Sequence, residues 1–129
     1  MSERFAHHRL DVYELALDLA VSAKGISEQI PRGYRSLSDQ LIRSGSGVVL
    51  LIAEGANRFS SAQKRQRFVE ARGECGEAAA TVELSERMGL INPQECQRDC
   101  QENCVSRIAL VSFLTTEGAI DVDTQGTPG

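Results

Sequence analysis

A run of cations near the middle of the chain is the part of the sequence with the clearest potential chemistry. Between positions 58 and 72 there are five basic residues and one acid, Glu70. The basic residues are Arg58, Lys64, Arg65, Arg67 and Arg72. Such clusters bind phosphate groups, and weak contacts add up when several copies of a chain assemble. The alternative is a solvated helix face whose cations pair with neighbouring acids. We expect no aromatic residue on this basic face for base stacking.

Four cysteines could in principle bind a metal ion or take part in redox chemistry: Cys75, Cys96, Cys100 and Cys104. The last three are four residues apart and line one face of a helix, with Cys75 on a neighbouring helix. Zinc sites favour CxxC pairs on turns, so this spacing is a weak match. Buried thiols also act as small apolar residues. We therefore predict reduced core cysteines and no metal, and a thiol-based metal or redox protein is the distant alternative.

Catalysis has little support in the sequence. The chain has two histidines, His7 and His8, next to an end that we expect to be frayed and solvated. It has no glycine-rich phosphate loop, no HExxH pair and no Glu-x-x-His motif of bundle metal sites. The prediction is a protein that is not an enzyme and uses no cofactor.

Three charged residues indicate a structural ion-pair network. Arg43 and Glu54 lie on nearly the same side of a predicted helix that is apolar on two faces, and Glu77 lies on the next helix. A partly buried charge needs a partner of opposite sign. We predict that Arg43, Glu54 and Glu77 pair across the bundle or between subunits. The functional alternative is the lining of a polar pocket or channel.

Hydrophobic periodicity predicts the helices that must position these groups. The predicted helices span residues 10–30, 37–57, 61–88 and 93–117. They form a single domain, residues 1–117, and residues 118–129 form a flexible tail. Short connections imply antiparallel neighbours. The predicted fold class is all-α, an antiparallel up-down-up-down four-helix bundle.

Local signals mark the ends of these helices. Ser36 with Asp39 resembles a capping box, and Ser60 or Ser61 is a suitable N-cap. Gly89 supplies a C-terminal stop, and Pro93 suits the first position of the fourth helix. The residues expected to face the core are Val12, Leu15, Ala16, Leu19, Ala20, Ala23, Ile26, Ile30, Leu37, Leu41, Gly45, Val48, Ile52, Ala56, Phe68, Ala71, Cys75, Ala78, Ala79, Val82, Cys96, Cys100, Cys104, Ile108, Val111 and Thr115.

The second and third helices each carry a further row of small or apolar residues beside the core row. The members are Ile42, Val49 and Ala53 on one helix and Gly73, Gly76 and Ala80 on the other. A small monomer rarely leaves rows of this size to solvent. We therefore predict a homo-oligomer whose interface uses these six residues.

Composition and charge restrict the class of protein. The formal net charge is -4, and the excess of acids lies entirely from Pro93 onward. An acidic chain is unlike a typical basic nucleic-acid-binding domain, so only a local patch could bind phosphate. The longest apolar run, Val48 to Ala53, is far too short to span a bilayer, and no apolar signal segment opens the chain. We predict a cytoplasmic protein without membrane contact.

Many positions carry the residues of a known family. The first part of the match comprises Phe5, Leu10, Val12, Tyr13, Leu15, Ala16, Leu37, Gln40, Leu41, Arg43, Gly47, Ile52, Ala53, Glu54, Gly55 and Arg58, and it continues in Phe68, Ala71, Gly73 and Glu77. This pattern resembles the four-helix bundle proteins encoded by intervening sequences of bacterial 23S rRNA genes. Its most specific part is the IAEG stretch with the flanking Arg43 and Arg58.

The resemblance implies a four-helix bundle, a homopentamer and a link to nucleic acid, but no reaction. The same broad family includes the accessory variability proteins of diversity-generating retroelements, which are similar pentameric bundles that partner a reverse transcriptase. Those proteins are typically strongly basic, whereas this chain is acidic. Leu51 and Glu74 also depart from the pattern, where the family often has Asn and Ser.

Together these features predict a non-enzymatic homo-oligomeric scaffold, pentameric by resemblance. It would bind RNA or DNA, or a reverse-transcriptase-like nucleoprotein, through the region from Arg58 to Arg72. The alternative is a protein-protein interaction or structural assembly module without nucleic-acid binding, whose acidic fourth helix and tail meet a basic partner.

Overall fold

A computed structural model of the chain describes residues 5–92 and 101–116. Within these ranges the protein is all-α, as predicted, and contains no strand. The helices are α1 (Asp11–Ser27), α2 (Arg35–Ala56), α3 (Ser61–Arg87) and α4 (Gln101–Thr116). Two short 3-10 helices precede α1 and α2, at Ala6–Arg9 and Arg32–Tyr34. None of the helices in these ranges has the length and apolar character that a membrane span requires.

One apolar core lies between the four helices. Helix α2 packs on α1 and most extensively on α3, while α4 packs on α3 and α1. The described members of the rows predicted to face the core are buried, apart from four that are half-buried, Leu15, Ala20, Leu37 and Ala79. In α4 the four members that can be described, from Cys104 to Thr115, are all buried. Helical periodicity alone therefore identified the inward face of every helix, because each face repeats at 3.6 residues.

The connection between α1 and α2 differs from the predicted one. Helix α1 ends at Ser27, three residues before Ile30, and Pro31 disfavours helical backbone at Ile30 itself. Helix α2 begins at Arg35, directly after a 3-10 turn, and its N-cap residue Tyr34 makes no side-chain cap hydrogen bond. The predicted capping box starting at Ser36 is therefore wrong, since that residue already lies within the helix.

Both ends of α3 follow their local signals. The Ser60 hydroxyl oxygen accepts a hydrogen bond of 3.1 Å from the Gln63 amide and caps the first turn. At the other end Gly89 adopts φ +74°, and the amides of Gly89 and Leu90 donate to the carbonyls of Glu86 and Ser85. This is a Schellman motif, which needs a residue that tolerates the left-handed region. The predicted roles of Pro93, the helix start at 93 and the tail at 118–129 lie outside the described residues.

Two glycines of α2 allow the neighbouring helices to approach closely. A Cβ atom added at Gly45 would lie 3.1 Å from the Cβ of Ala23 on α1. At Gly55 an added Cβ would lie 2.6 Å from a ring carbon of Phe68 on α3, which is too close for any real contact. Gly45 was among the residues predicted to face the core, whereas Gly55 was not.

Candidate nucleic-acid interface

The turn between α2 and α3 is fixed at both ends by hydrogen bonds. At the end of α2 the Asn57 amide donates to the carbonyls of Ala53 and Glu54, and its side-chain Nδ2 donates to the Ala53 carbonyl at 2.7 Å. The Ser60 cap closes the other end. Arg58 and Phe59 therefore leave the bundle from a turn whose backbone is held in place.

The segment before α1 packs against the same turn. The Ala6 amide donates to Asn57 Oδ1 at 3.3 Å, and Asn57 Nδ2 lies 2.9 Å from His7 Nδ1. Since Nδ2 is a donor, His7 Nδ1 accepts, as in a neutral imidazole. Burial, together with the neighbouring His8, lowers the pKa of His7. His7 also packs on Tyr13 at 4.6 Å between ring centroids, so the expectation of a frayed, solvated His7 is wrong.

Arg58 and Arg67, two of the predicted phosphate-binding cations, form ion pairs with acids of α2 and α3. Arg58 Nη2 lies 2.7 Å from a Glu54 oxygen. Arg67 lies 3.5 Å from Glu54 through Nε and 3.0 Å from Glu70 through Nη1. Both arginine side chains are half-buried, and these pairs hold them along the seam between α2 and α3.

The remaining three cations extend the patch along α3. Lys64 donates from Nζ to the Ala56 carbonyl at 3.2 Å, at the end of α2. Arg65 and Arg72 are exposed, and Arg65 has no ion pair with any residue in the described ranges. The five cations thus lie in the turn and along the first half of α3, and Arg65 is the clearest external contact.

An exposed aromatic residue stands within this basic region. Phe59 is 98% exposed and lies between Arg58 and the Ser60 cap. The expectation that no aromatic accompanies the cations is therefore wrong. Phe59 does not belong to the apolar row of either helix. It is the single apolar residue in the polar turn NRFSS, and this could have marked it in the sequence as an exposed ring.

A shallow depression adjoins the turn on the side of α2. Its volume is about 650 Å³. Phe5, His7, Leu50, Ala53, Glu54, Asn57 and Arg58 line it. The Phe5 ring stacks on the His7 ring, with centroids 5.6 Å apart and planes inclined by 11°. Arg58 lines this depression and directly precedes Phe59 in the chain.

The three residues of the predicted ion-pair network fall into two groups. Arg43 Nη2 lies 3.4 Å from Glu77 and Nη1 lies 4.0 Å from Glu74, whereas Glu54 binds Arg58 and Arg67. Positions 43 and 54 are separated by about 16 Å along the axis of one helix, so their side chains cannot meet. Only Arg43 and Glu77 of the three are brought together.

The carboxyl groups beside Arg43 influence each other. Burial and the adjacent Glu77 carboxyl raise the pKa of Glu74, against the opposing effect of the Arg43 charge. Partial burial works against a low pKa at Glu77, but hydrogen bonds from Gln40 and Glu74 and the Arg43 charge lower its pKa overall. The two acids therefore differ in how readily they hold a proton.

The six residues predicted at the oligomer interface lie on two surfaces of one chain. Val49 and Ala53 are half-buried on α2, and Ile42, two turns before Val49, is exposed. Gly73, Gly76 and Ala80 are exposed on α3, opposite its buried row. The ion pairs of the seam between α2 and α3 separate the two surfaces.

The described cysteines behave as core residues. Cys75 and Cys104 are both buried. Burial and the nearby Glu74 charge raise the pKa of Cys75 to about 12, so it remains a neutral thiol. Across residues 5–92 and 101–116 no group of three or more His, Cys, Asp or Glu could hold a metal ion. Cys96 and Cys100 lie outside the described residues.

Comparison with known proteins agrees with the resemblance noted in the sequence. A search of the curated proteins gave no match. A sequence model of the 23S rRNA-intervening sequence protein family matches residues 8–110, which include all of α1, α2 and α3 and much of α4. The match covers well over half of the chain. The chain therefore belongs to the 23S rRNA-intervening sequence protein family.

Proposed function

We propose that this protein is a non-enzymatic, homo-oligomeric scaffold that binds nucleic acid at the turn between α2 and α3. The observation that carries the proposal is the grouping of Arg58, Phe59, Lys64 and Arg65 where α2 meets α3, with Phe59 and Arg65 exposed. Basic side chains supply salt-sensitive phosphate contacts. The nucleic acid can be free RNA or DNA, or part of a reverse-transcriptase-like nucleoprotein.

The scaffold is an antiparallel up-down-up-down bundle. Two contacts support opposite directions for α1 and α2. Ser38, early in α2, donates a hydrogen bond of 3.2 Å to the carbonyl of Ser27, the last residue of α1. Asn57, just after α2, contacts Ala6, just before α1. Contacts of this kind arise when two neighbouring helices run in opposite directions.

Assembly of several copies is supported by apolar surface that the single chain leaves uncovered. Leu50 on α2 is 65% exposed, and Val69 and Leu84 are exposed beside Gly73 and Gly76 on α3. Because the two predicted interface rows lie on different surfaces, the row on α2 of one copy would meet the row on α3 of the next. Such a head-to-tail contact closes into a ring when the rotation allows it. A ring of five is the number that the resemblance implies.

A ring would present one basic turn from each subunit on the same face. A single phosphate contact is weak. Once one subunit of a ring has bound, the other subunits meet the same nucleic acid at a high effective concentration, so their contacts add up. Nucleic acid bound in this way would be released by added salt, in proportion to the number of phosphates contacted. This explains how an acidic chain can bind nucleic acid through a local patch.

Titration of labelled structured RNA and single-stranded DNA at increasing salt tests this function. Arg65→Glu is expected to weaken binding by tenfold or more and to flatten the salt dependence, because the lost contact repeats in every subunit. Arg87→Glu is the matched control, an exposed arginine at the far end of the same helix. If the unaltered protein binds neither probe at low salt, the function is excluded.

Native mass spectrometry tests the assembly separately. The unaltered protein is expected to be an oligomer at micromolar concentration, and Gly76→Glu is expected to give monomers with unchanged helix content. A charge buried in a subunit contact without a partner opposes association. A monomeric unaltered protein would contradict this part of the proposal.

The second candidate function is a protein-binding or structural assembly module that does not bind nucleic acid. Leu110 and Phe113 are exposed on α4, the helix that belongs to the acidic part of the chain. Exposed apolar residues within the net acidic part of the chain fit a basic, amphipathic partner. Absence of binding to either probe together with an intact oligomer would favour this function.

A further inference from the structure

Phe59 is exposed far beyond what the fold requires. At 98% it is the most exposed of the large hydrophobic residues in the described ranges. A phenyl ring that contacts almost nothing contributes little to the stability of the bundle, and its apolar surface is unfavourable in water. The ring therefore has no structural role that the described residues can account for.

The backbone that carries this ring is held firmly. Asn57 is fixed by hydrogen bonds to α2 and to the segment before α1, and Ser60 caps α3. The guanidinium group of Arg58 is anchored on Glu54. A group presented from an ordered turn loses little conformational entropy on binding, which favours recognition at this point.

The surroundings of Phe59 combine charge with further aromatic surface. Arg58 lines the depression that also contains the stacked pair Phe5 and His7, and Phe5 is 61% exposed. On the side of α3, Lys64 and Arg65 follow within two turns of the cap. Cations that track a backbone and rings that stack on bases are the two elements of single-strand recognition.

We propose that the turn from Asn57 to Ser60 binds single-stranded nucleic acid, with Phe59 stacked on an unpaired base. This inference rests on the proposed nucleic-acid binding and specifies its substrate. Arg58 and Arg65 contact the phosphates on either side of the stacked nucleotide. A phenyl ring has no hydrogen-bonding group with which to read a groove, and in a duplex the faces of the bases are covered by their neighbours. Only an unpaired nucleotide offers its face to Phe59.

Fluorescence anisotropy with three labelled probes of equal length tests this inference. The probes are a single-stranded RNA, a single-stranded DNA and an RNA duplex. The unaltered protein is expected to bind either single strand more tightly than the duplex. Phe59→Ala is expected to weaken single-strand binding by roughly tenfold or more while leaving duplex binding nearly unchanged. The relative affinity of the two single strands identifies the natural class of ligand.

A direct signal for stacking is available because the chain contains no Trp. Phe59→Trp keeps an aromatic face and makes residue 59 the only tryptophan. This variant is expected to retain single-strand binding, and its fluorescence is expected to be quenched on contact with a base. Phe113→Ala is the matched control, since Phe113 is a 59% exposed phenylalanine on α4. It is expected to bind like the unaltered protein.

The outcomes separate this inference from the proposed function. Equal binding of duplex and single strands, with no effect of Phe59→Ala, would overturn the stacking role but leave nucleic-acid binding intact. Absence of binding to all three probes would remove both. A change in oligomer mass on Phe59→Ala would assign the ring to a contact between subunits and overturn the inference.

Discussion

The glycines of α2 and those of α3 occupy opposite environments. A Cβ atom at Gly55 would enter the ring of Phe68, and one at Gly45 would press on Ala23. A Cβ atom at Gly73 or Gly76 would meet nothing within 4 Å. Glycine destabilises the interior of any helix by roughly 0.5–1 kcal/mol relative to Ala. In α2 that cost is offset within the chain by close packing, whereas in α3 nothing in the described chain offsets it.

This difference between the glycines of α2 and α3 shows where each helix makes its closest contacts. Helix α2 lies between α1 and α3, and small residues on two of its sides allow both partners to approach. Helix α3 carries its small residues on the side that faces away from the core. A second copy packed against that side would give Gly73 and Gly76 the same purpose that Gly55 has inside the monomer.

The largest expected effect is a change in stability at Gly55, which packs inside the chain. Gly55→Ala is expected to destabilise the protein by about 1–3 kcal/mol, since Phe68 is buried and its ring has little freedom to move. Urea unfolding followed by circular dichroism measures the change. In a Phe68→Leu background the same substitution is expected to cost less, because the ring carbons that clash are absent. If Gly55→Ala had the same free energy of unfolding as the unaltered protein, the close packing of Gly55 on Phe68 would be contradicted.

At Gly73, on the outward side of α3, a smaller and opposite change in the free energy of unfolding is expected. Gly73→Ala is expected to raise the free energy of unfolding of the dissociated chain by about 0.5–1 kcal/mol, through helix propensity alone. Unfolding at several protein concentrations measures this, since contact with a second copy depends on concentration. A loss of stability at high concentration only would indicate that another subunit covers the site. Destabilisation at every concentration would show that the site is not open.

The smallest expected effect concerns the carboxyl group of Glu74. This group packs against Gly47, the remaining glycine of α2, where α2 meets α3. An added Cβ there would lie 3.4 Å from the carboxyl carbon of Glu74. The raised pKa of Glu74 means that its stabilising contribution is present below the ordinary carboxyl pKa and is lost as the pH rises through the raised value. Glu74→Gln is therefore expected to gain stability relative to the unaltered protein as the pH rises, by at most about 1 kcal/mol.

Denaturant unfolding between about pH 4 and pH 7 covers the range in which these carboxyl groups ionise. Glu77→Gln is the matched control, because the pKa of Glu77 is lowered. Its contribution is present above the ordinary carboxyl pKa and is lost on acidification, so this variant is expected to lose stability at neutral pH. Parallel pH profiles for the two variants would contradict the assigned difference between the two acids.

The residues of the candidate site could largely be predicted from the sequence, but which acid forms an ion pair with which arginine could not. The basic residues from Arg58 to Arg72 were recognisable as a cluster by their spacing. That Glu54 binds Arg58 and Arg67, rather than Arg43, depends on the distance along α2 and on the rotation of α3 beside it. A sequence pattern gives the direction of a side chain about its own helix axis only, so it cannot select a partner on another helix.

For the described residues, the sequence by itself determined the all-α class, the buried row of each helix and the ends of α3 at Ser60 and Gly89. These features depend on periodicity and on capping groups within a few residues, so they are encoded locally. The tertiary structure alone decided which cations have acidic partners, that the segment before α1 contacts Asn57, and that Gly55 is packed while Gly73 is open. It also decided that Phe59 stands free in solvent. Each of these depends on how neighbouring helices are placed and rotated, which local periodicity does not specify.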